Sequence, residues 1–308
     1  MNKTKFSLAG LVAATHTPFH NDGTLNLSAV EKQAEHLARH GVRSVFIGGS
    51  TGESHSLALD ERLALSQRWS EVASGTSLQL VVHVGSNCLA DARTLAAQAQ
   101  KCGAAAISAL APSYFKPKNL EALVACCADI ADAAPALPFY FYDIPALTGV
   151  QFSMPEFLDI AAERIPRLAG IKFTNPDLMA YQRCLHSHGG QFDIPWGCDE
   201  YLLAALALGA TGGVGSTFNF AAPVYLRMMK AFQAGDLVSA RAEQYRCVQL
   251  VDLLASFGYM AAAKALMGLL GVDVGAPRLP HLRLSDEQTR QLRAKLDKLE
   301  FFRWLNAG

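Results

Sequence analysis

The sequence carries no surplus of either charge. Its 308 residues set 27 lysines and arginines against 27 aspartates and glutamates, and the basic residues form no cluster. That argues against nucleic acid or an anionic membrane surface as a partner. No apolar run approaches the roughly 18–20 residues that a membrane span needs. Cys-x-x-Cys does not occur. The cysteines are 7, an odd number, at positions 88, 102, 126, 127, 184, 198 and 247. This is reduced, cytoplasmic usage, with neither a disulfide framework nor a zinc site. No His, Asp or Glu spacing points to a catalytic metal. No Gly-x-Gly-x-x-Gly follows the first apolar strand, where the chain reads Thr15-His16-Thr17-Pro18-Phe19; a dinucleotide-binding open sheet would usually show one there. The start, Met1 to Ala14, has the superficial look of a secretion leader. Its apolar part is short and runs straight into Thr15-His16-Thr17-Pro18, so the expectation is that it is retained.

What is present is a hydrophobic share of 51 % and a steady alternation. Strands are predicted at 11–17, 44–49, 80–85, 105–111, 139–144, 168–174, 192–196 and 212–216. Helices are predicted between and after them at 28–40, 60–73, 89–102, 120–133, 155–163, 177–188, 200–208 and 223–234. The strands are short, β-branched and apolar on both faces, as in a parallel sheet covered by helices. Eight such units match an α/β fold of the (β/α)8 TIM-barrel type over residues 1–234. From 235 to 308 the pattern turns helical, at 237–257, 260–270 and from Ser285-Asp286-Glu287-Gln288 to about Phe301, with a Gly/Pro-rich break at 271–280. No linker separates this C-terminal helical extension from the barrel, so it is expected to pack on it as one structural unit.

In such barrels chemistry sits at the C-terminal strand ends. The sixth strand, Leu168 to Thr174, holds one lysine, Lys172. It either snorkels to solvent or is buried, and a buried amine loses charge and becomes a nucleophile toward a carbonyl carbon. The other strand ends supply Gly48-Gly49-Ser50-Thr51-Gly52-Glu53, Ser113-Tyr114, Tyr142-Asp143, Gly197-Cys198-Asp199-Glu200 and Ser216-Thr217. Each admits a plainer reading. Gly48–Gly52 is either a tight turn or a loop whose N–H groups and hydroxyls hold a carboxylate. Tyr142 is either core, like Phe139, Tyr140 and Phe141, or functional. Asp199-Glu200 is either an acidic helix start or a pair of acceptors. His83 reads as a hydrogen-bonded core histidine in preference to a ligand, and His186 and His188 as solvent-facing.

Gly-Gly-Ser-Thr-Gly-Glu at 48–53, Tyr-Asp-Ile-Pro-Ala-Leu-Thr-Gly at 142–149, Gly-Ile-Lys-Phe-Thr at 170–174, Gly-Cys-Asp-Glu at 197–200 and Gly-Ser-Thr-Phe-Asn at 215–219 resemble, in order and spacing, the motifs of the dihydrodipicolinate synthase/N-acetylneuraminate lyase family. Leu147 stands where the synthase branch carries a carboxylate-binding arginine, and Ile-Pro-Ala-Leu-Thr-Gly resembles the lyase branch. Phe218 stands where tyrosine is common. The resemblance implies a Schiff-base aldolase without cofactor or metal, cleaving N-acetylneuraminate reversibly to N-acetylmannosamine and pyruvate in sialic acid catabolism. Lys172 would form the imine. Tyr142 would be the acid/base, its pKa lowered by a relay through Ser50 and Thr51, which also anchor the pyruvate carboxylate. Thr174, Gly197, Asp199, Glu200 and Ser216 would bind the sugar tail. Tyr114 would reach a neighbouring subunit's site or pack at the rim, and Tyr259 would cover the pocket mouth or pack between helices. The implied assembly is a homotetramer, with small-molecule sugar acid and pyruvate as the partners. Two alternatives stay open: a pyruvate-dependent lyase for another 2-keto-3-deoxy sugar acid, and a catalytically silent sugar-acid-binding protein.

Overall fold

Side chains alternate across each strand, and the alternation sorts the apolar residues into two cores. The computed structural model describes residues 6–306. Its strands are β1 (Gly10–Ala14), β2 (Ser44–Ile47), β3 (Gln79–His83), β4 (Ala106–Leu110), β5 (Phe139–Asp143), β6 (Leu168–Phe173) and β7 (Gly212–Gly215). They form one parallel sheet in the order β6-β5-β4-β3-β2-β1-β7. Val12, Ala14, Phe46, Val81, Ala106, Leu110, Tyr140, Tyr142 and Val214 meet inside the curl of this sheet. Leu11, Ala13, Val45, Ile47, Ile107, Phe141, Ile171 and Phe173 face the surrounding helices. Burial on both faces explains why the strands read as continuous apolar runs.

The fold is the (β/α)8 barrel with a C-terminal helical extension, with one correction. The predicted strand at 192–196 is not a continuous strand. It touches β6 and β7 through isolated bridges at Asp193 and Trp196. Asp193 and Gly197 donate to Ala169 and Phe173 of β6, at 2.9 and 2.8 Å. Between them stands Pro195, which has no N–H to give. Trp196 donates to Gly212 and accepts from Val214, at 3.1 and 2.8 Å. The segment therefore fills the eighth position and closes the barrel with an interrupted ladder.

The N-terminal stretch that looks like a leader falls partly on residues 1–5, outside the described residues; Gly10–Ala14 of it form β1, paired on both edges. In the C-terminal part, helices Leu237–Ala255, Tyr259–Leu269 and Asp286–Lys298 lie close to the predicted ones. Ser285 and Gln288 form the predicted capping box, an arrangement that contributes about 1 kcal/mol. The last helix stops at Lys298, short of Phe301, because Glu300 turns left-handed (φ 56°) and the chain re-enters the short helix Phe301–Trp304, burying Phe301 and Trp304. Leu254, Leu266, Met267, Leu292, Leu296 and Phe301 share one apolar cluster with the outward faces of the strands. Among the described residues no single helix is long and apolar enough to cross a membrane.

The barrel's seal depends on Gly170 of β6. A Cβ there would overlap the Asp193 carbonyl oxygen, whose peptide lies directly against it. Gly170→Ala should therefore destabilise the protein by about 3 kcal/mol or more, through forced displacement of the 193–196 segment. Chemical denaturation measures this; an unchanged midpoint would mean that the segment does not close the barrel as described.

Candidate active site

Parallel register places the reactive groups. Tyr142 of β5 pairs directly with Lys172 of β6, and both are inward positions. Lys172 is 3 % exposed. Its Nζ lies 3.9 Å from the centre of the Tyr142 ring and 4.1 Å from that of Phe46. It has no hydrogen-bond or ion-pair partner among the described residues. Burial brings its pKa down from 10.5 to about 7, with Asp199 and Cys198 opposing the fall. Of the two readings of this lysine, the structure takes the buried one. Cys198 is no rival nucleophile: burial, Glu200 and Asp199 push its thiol up to about 12.

Tyr142 is buried, and its hydroxyl meets Ser50 Oγ at 3.3 Å. Burial outweighs the hydroxyls of Ser50 and Thr174 and raises its pKa to about 12. The expected lowering is therefore overturned for the unliganded site: the phenol is held protonated. The expected relay is also shorter. Ser50 reaches Tyr142, whereas the Thr51 hydroxyl makes no hydrogen bond among the described residues. Thr174 Oγ1 is buried without a partner inside hydrogen-bond distance, yet it lies near enough to favour the ionised phenol.

Beneath these groups His83 is buried edge-on to Tyr142, with ring centres 5.6 Å apart. It is a core histidine as expected; neither ring nitrogen has a partner within hydrogen-bond distance among the described residues, although the Ser108 backbone lies near enough to favour the charged ring. Burial, Arg62 and Lys172 keep it neutral.

The opposite wall is built at the ends of the 192–196 segment and β7. Asp199 opens a short 3-10 turn, Asp199–Tyr201, but caps nothing with its side chain. Its Oδ2 accepts from the Thr217 amide at 2.8 Å and the Thr217 hydroxyl at 2.6 Å. The carboxylate rests where a Cβ of Gly215 would be, as Thr174 rests against Gly197. Burial raises its pKa to about 6 despite Thr217. Glu200 is half-buried and makes no side-chain hydrogen bond among the described residues. Ser216 Oγ is 2.7 Å from the hydroxyl of Tyr259. Tyr259, from the C-terminal helices, thus meets the end of β7 and also packs against the outer core. Tyr114 is 78 % exposed, edge-on to Phe115 at 4.9 Å. Leu147, 66 % exposed, lines a cleft of about 170 Å³ with Ser50, Leu110, Ser113, Thr148 and His281. Phe218 is buried against Tyr225 in the outer core.

Three residues were given no role by the sequence, although Glu53 and Thr217 stand within the strand ends it supplies. Thr217 holds Asp199; Glu53 and Lys264 form a buried ion pair behind the Ser50 loop. Lys264 had a signal, being the one charge in the apolar helix Tyr259–Leu269. Among the described residues no group of three or more His, Cys, Asp or Glu could hold a metal ion.

The profile of the Dihydrodipicolinate synthetase family matches residues 7–299. The chain is 39 % identical to N-acetylneuraminate lyase of Rattus norvegicus, over 96 % of this chain and 94 % of that protein. It is 39 % identical to the Sus scrofa N-acetylneuraminate lyase, over 97 % and 95 %. Its fold is similar to the solved N-acetylneuraminate lyases of Proteus mirabilis and Aliivibrio salmonicida, each with a TM-score of 0.93. The identities are 38 % and 40 %, with 96 % of this chain covered in both cases and 100 % and 98 % of those chains.

An amine with a pKa of about 7 is the free base above that pH and ammonium below it. Trapping of a 2-keto acid on Lys172 by cyanoborohydride should therefore rise about tenfold per pH unit below neutrality and level off above it. A rate still climbing toward pH 10 would show that the amine is not desolvated.

Proposed function

The chain belongs to the dihydrodipicolinate synthetase family, and from that premise we propose that it is a carbon–carbon lyase, a class I aldolase that cleaves N-acetylneuraminate reversibly to N-acetylmannosamine and pyruvate. The observation that carries the reading is Lys172, a lone desolvated amine beside the Tyr142 phenol at the C-terminal end of the barrel.

The neutral amine attacks C2 of the keto acid. The resulting carbinolamine takes up a proton on its hydroxyl and loses it as water, which leaves a protonated imine. The C3–C4 electron pair then moves into the C2–C3 bond, and the iminium nitrogen regains its lone pair. A proton leaves the C4 hydroxyl as the sugar departs as an aldehyde. Protonation of the enamine at C3 and hydrolysis release pyruvate and restore Lys172.

Tyr142 must accept the C4 proton, and in the free enzyme its pKa is set against this. The imine supplies the correction. The protonated imine places a positive charge where the amine now lies 3.9 Å from the ring centre, and a cation at that range lowers a phenol's pKa. The acid/base therefore becomes competent once substrate is bound covalently. Ser50 and Thr51 hold the pyruvate carboxylate. The free Glu200 carboxylate and Asp199 Oδ1 accept from sugar hydroxyls, joined by Thr174, Gly197 and Ser216. Leu147 in place of a cation at the cleft favours a neutral tail over a charged one. No cofactor is needed, because the imine itself is the electron sink. The seven free cysteines fit a reducing cytoplasm and a role in sialic acid catabolism. The exposed rings of Tyr114 and Phe115 fit burial against another subunit of a homotetramer.

Product analysis with a panel of 2-keto sugar acids tests the reading: N-acetylneuraminate should yield N-acetylmannosamine and pyruvate, and Lys172→Ala should yield neither. Preference for a shorter 2-keto-3-deoxy acid would assign a different lyase, and no turnover of any member would make it a binding protein. Tyr142→Phe should still trap pyruvate but lose about 100- to 10,000-fold in cleavage; activity within a few-fold of the unmodified enzyme removes Tyr142 as acid/base. Glu200→Gln should cut kcat/KM for N-acetylneuraminate by about tenfold while pyruvate trapping stays intact. Equal losses on both would place Glu200 outside the sugar site.

A further inference from the structure

One helix outside the barrel reaches two walls of the site. Helix Tyr259–Leu269 begins with the tyrosine that meets Ser216, and further along carries Lys264. Lys264 is fully occupied: its Nζ donates to Glu53 Oε1 at 2.9 Å, to the Thr17 carbonyl at 2.9 Å and to the Ala276 carbonyl at 3.2 Å. The Lys264 and Glu53 side chains are 0 % and 1 % exposed. The second Glu53 oxygen accepts from the Arg278 amide at 2.8 Å. Both carboxylate oxygens are therefore tied to the C-terminal part of the chain. Glu53 itself sits in the left-handed region at φ 54°, a conformation that a non-glycine residue keeps only when its surroundings hold it.

Glu53 is the last residue of the loop that presents Ser50 and Thr51. Its amide donates to the Ser50 carbonyl at 3.0 Å, and that of Ser54 to Gly49 at 3.2 Å. A second strut reaches the loop from the end of β1, where the Thr17 hydroxyl donates to the Gly52 carbonyl at 2.6 Å. Thr17 is also a Lys264 acceptor, so the two struts share an anchor. A shift of Lys264 would be passed through Glu53 and Gly52 to the two hydroxyls three residues or fewer away.

We propose that Glu53 and Lys264 are positioning residues: the C-terminal helix sets the placement of the Ser50–Thr51 loop, and with it the affinity for the pyruvate carboxylate. The proposal rests on the aldolase reading above. A buried, fully bonded ion pair is a suitable strut because neither partner can leave without stranding a charge, and small displacements of a positioning group cost large factors in rate.

The test is the pyruvate concentration that half-saturates cyanoborohydride trapping at Lys172, read by intact mass on the full chain. Glu53→Gln/Lys264→Met removes both charges together and strands neither. Thr17→Val removes the second strut at nearly constant volume. Half-saturation should rise about tenfold in the double variant and several-fold in Thr17→Val, with full trapping recovered at high pyruvate. Leu296→Ala, in the neighbouring helix, should lower thermal stability and leave half-saturation unchanged. Values within about twofold of the unmodified protein in the strut variants, or an equal rise in Leu296→Ala, would overturn the proposal while leaving the aldolase reading intact. Should the double variant not fold, Thr17→Val decides on the same readout. Absence of trapping in the unmodified protein would instead overturn the aldolase reading itself.

Discussion

Removal of water from one amine is the constraint around which the barrel is arranged. Lys172 would hold its proton firmly in water. Between the rings of Phe46 and Tyr142, with no anion bonded to it, it does so only weakly near neutral pH. The largest opposing influence, Asp199, is itself restrained: Thr217 takes one of its oxygens, and burial raises its pKa to about 6. The site thus holds a carboxylate without pairing it to the lysine. A direct ion pair would have returned the amine to its charged form and removed the nucleophile.

The same desolvation acts on Tyr142 in the opposite direction. Burial disfavours the phenolate as it disfavours the ammonium, so the free site holds an acid beside a base. In the proposed reaction, forming the protonated imine changes the balance by putting a cation where a neutral amine stood. Order is thereby built into the chemistry: covalent capture first, proton transfer after. His83, neutral and edge-on to Tyr142, adds bulk without adding charge.

Close approach between chain segments is what makes room for this arrangement. The Asp199 carboxylate occupies the space over Gly215, and the Asp193 peptide that over Gly170. The barrel supplies position, and the helices after it supply restraint. Tyr259 meets Ser216 on one side and Lys264 holds Glu53 on the other, so the extension frames the mouth of the barrel from two directions.

Much of this was legible in the chain. Burial on both faces writes short apolar runs, and helices between them write a longer period, so the barrel and its strand ends could be placed from local pattern alone. Lys172 was visible because one charge in an apolar strand is anomalous, and the family motifs assigned it and Tyr142 their roles. The strand at 192–196 was misread because its apolar pattern hides Pro195, which breaks the ladder to β6. Direction of the Tyr142 shift was misread because counting hydroxyl neighbours leaves out the cost of burial. The partnerships of Asp199 with Thr217, Ser216 with Tyr259 and Glu53 with Lys264 span 18, 43 and 211 positions. Local periodicity reports which face of an element is buried; it does not report what lies against that face. The sequence by itself therefore determined the elements and singled out the one lysine in an apolar strand. Only the packed chain decided the protonation of Lys172, the neighbours of each candidate residue and the restraint from outside the barrel, because these follow from desolvation and contact between segments remote in sequence.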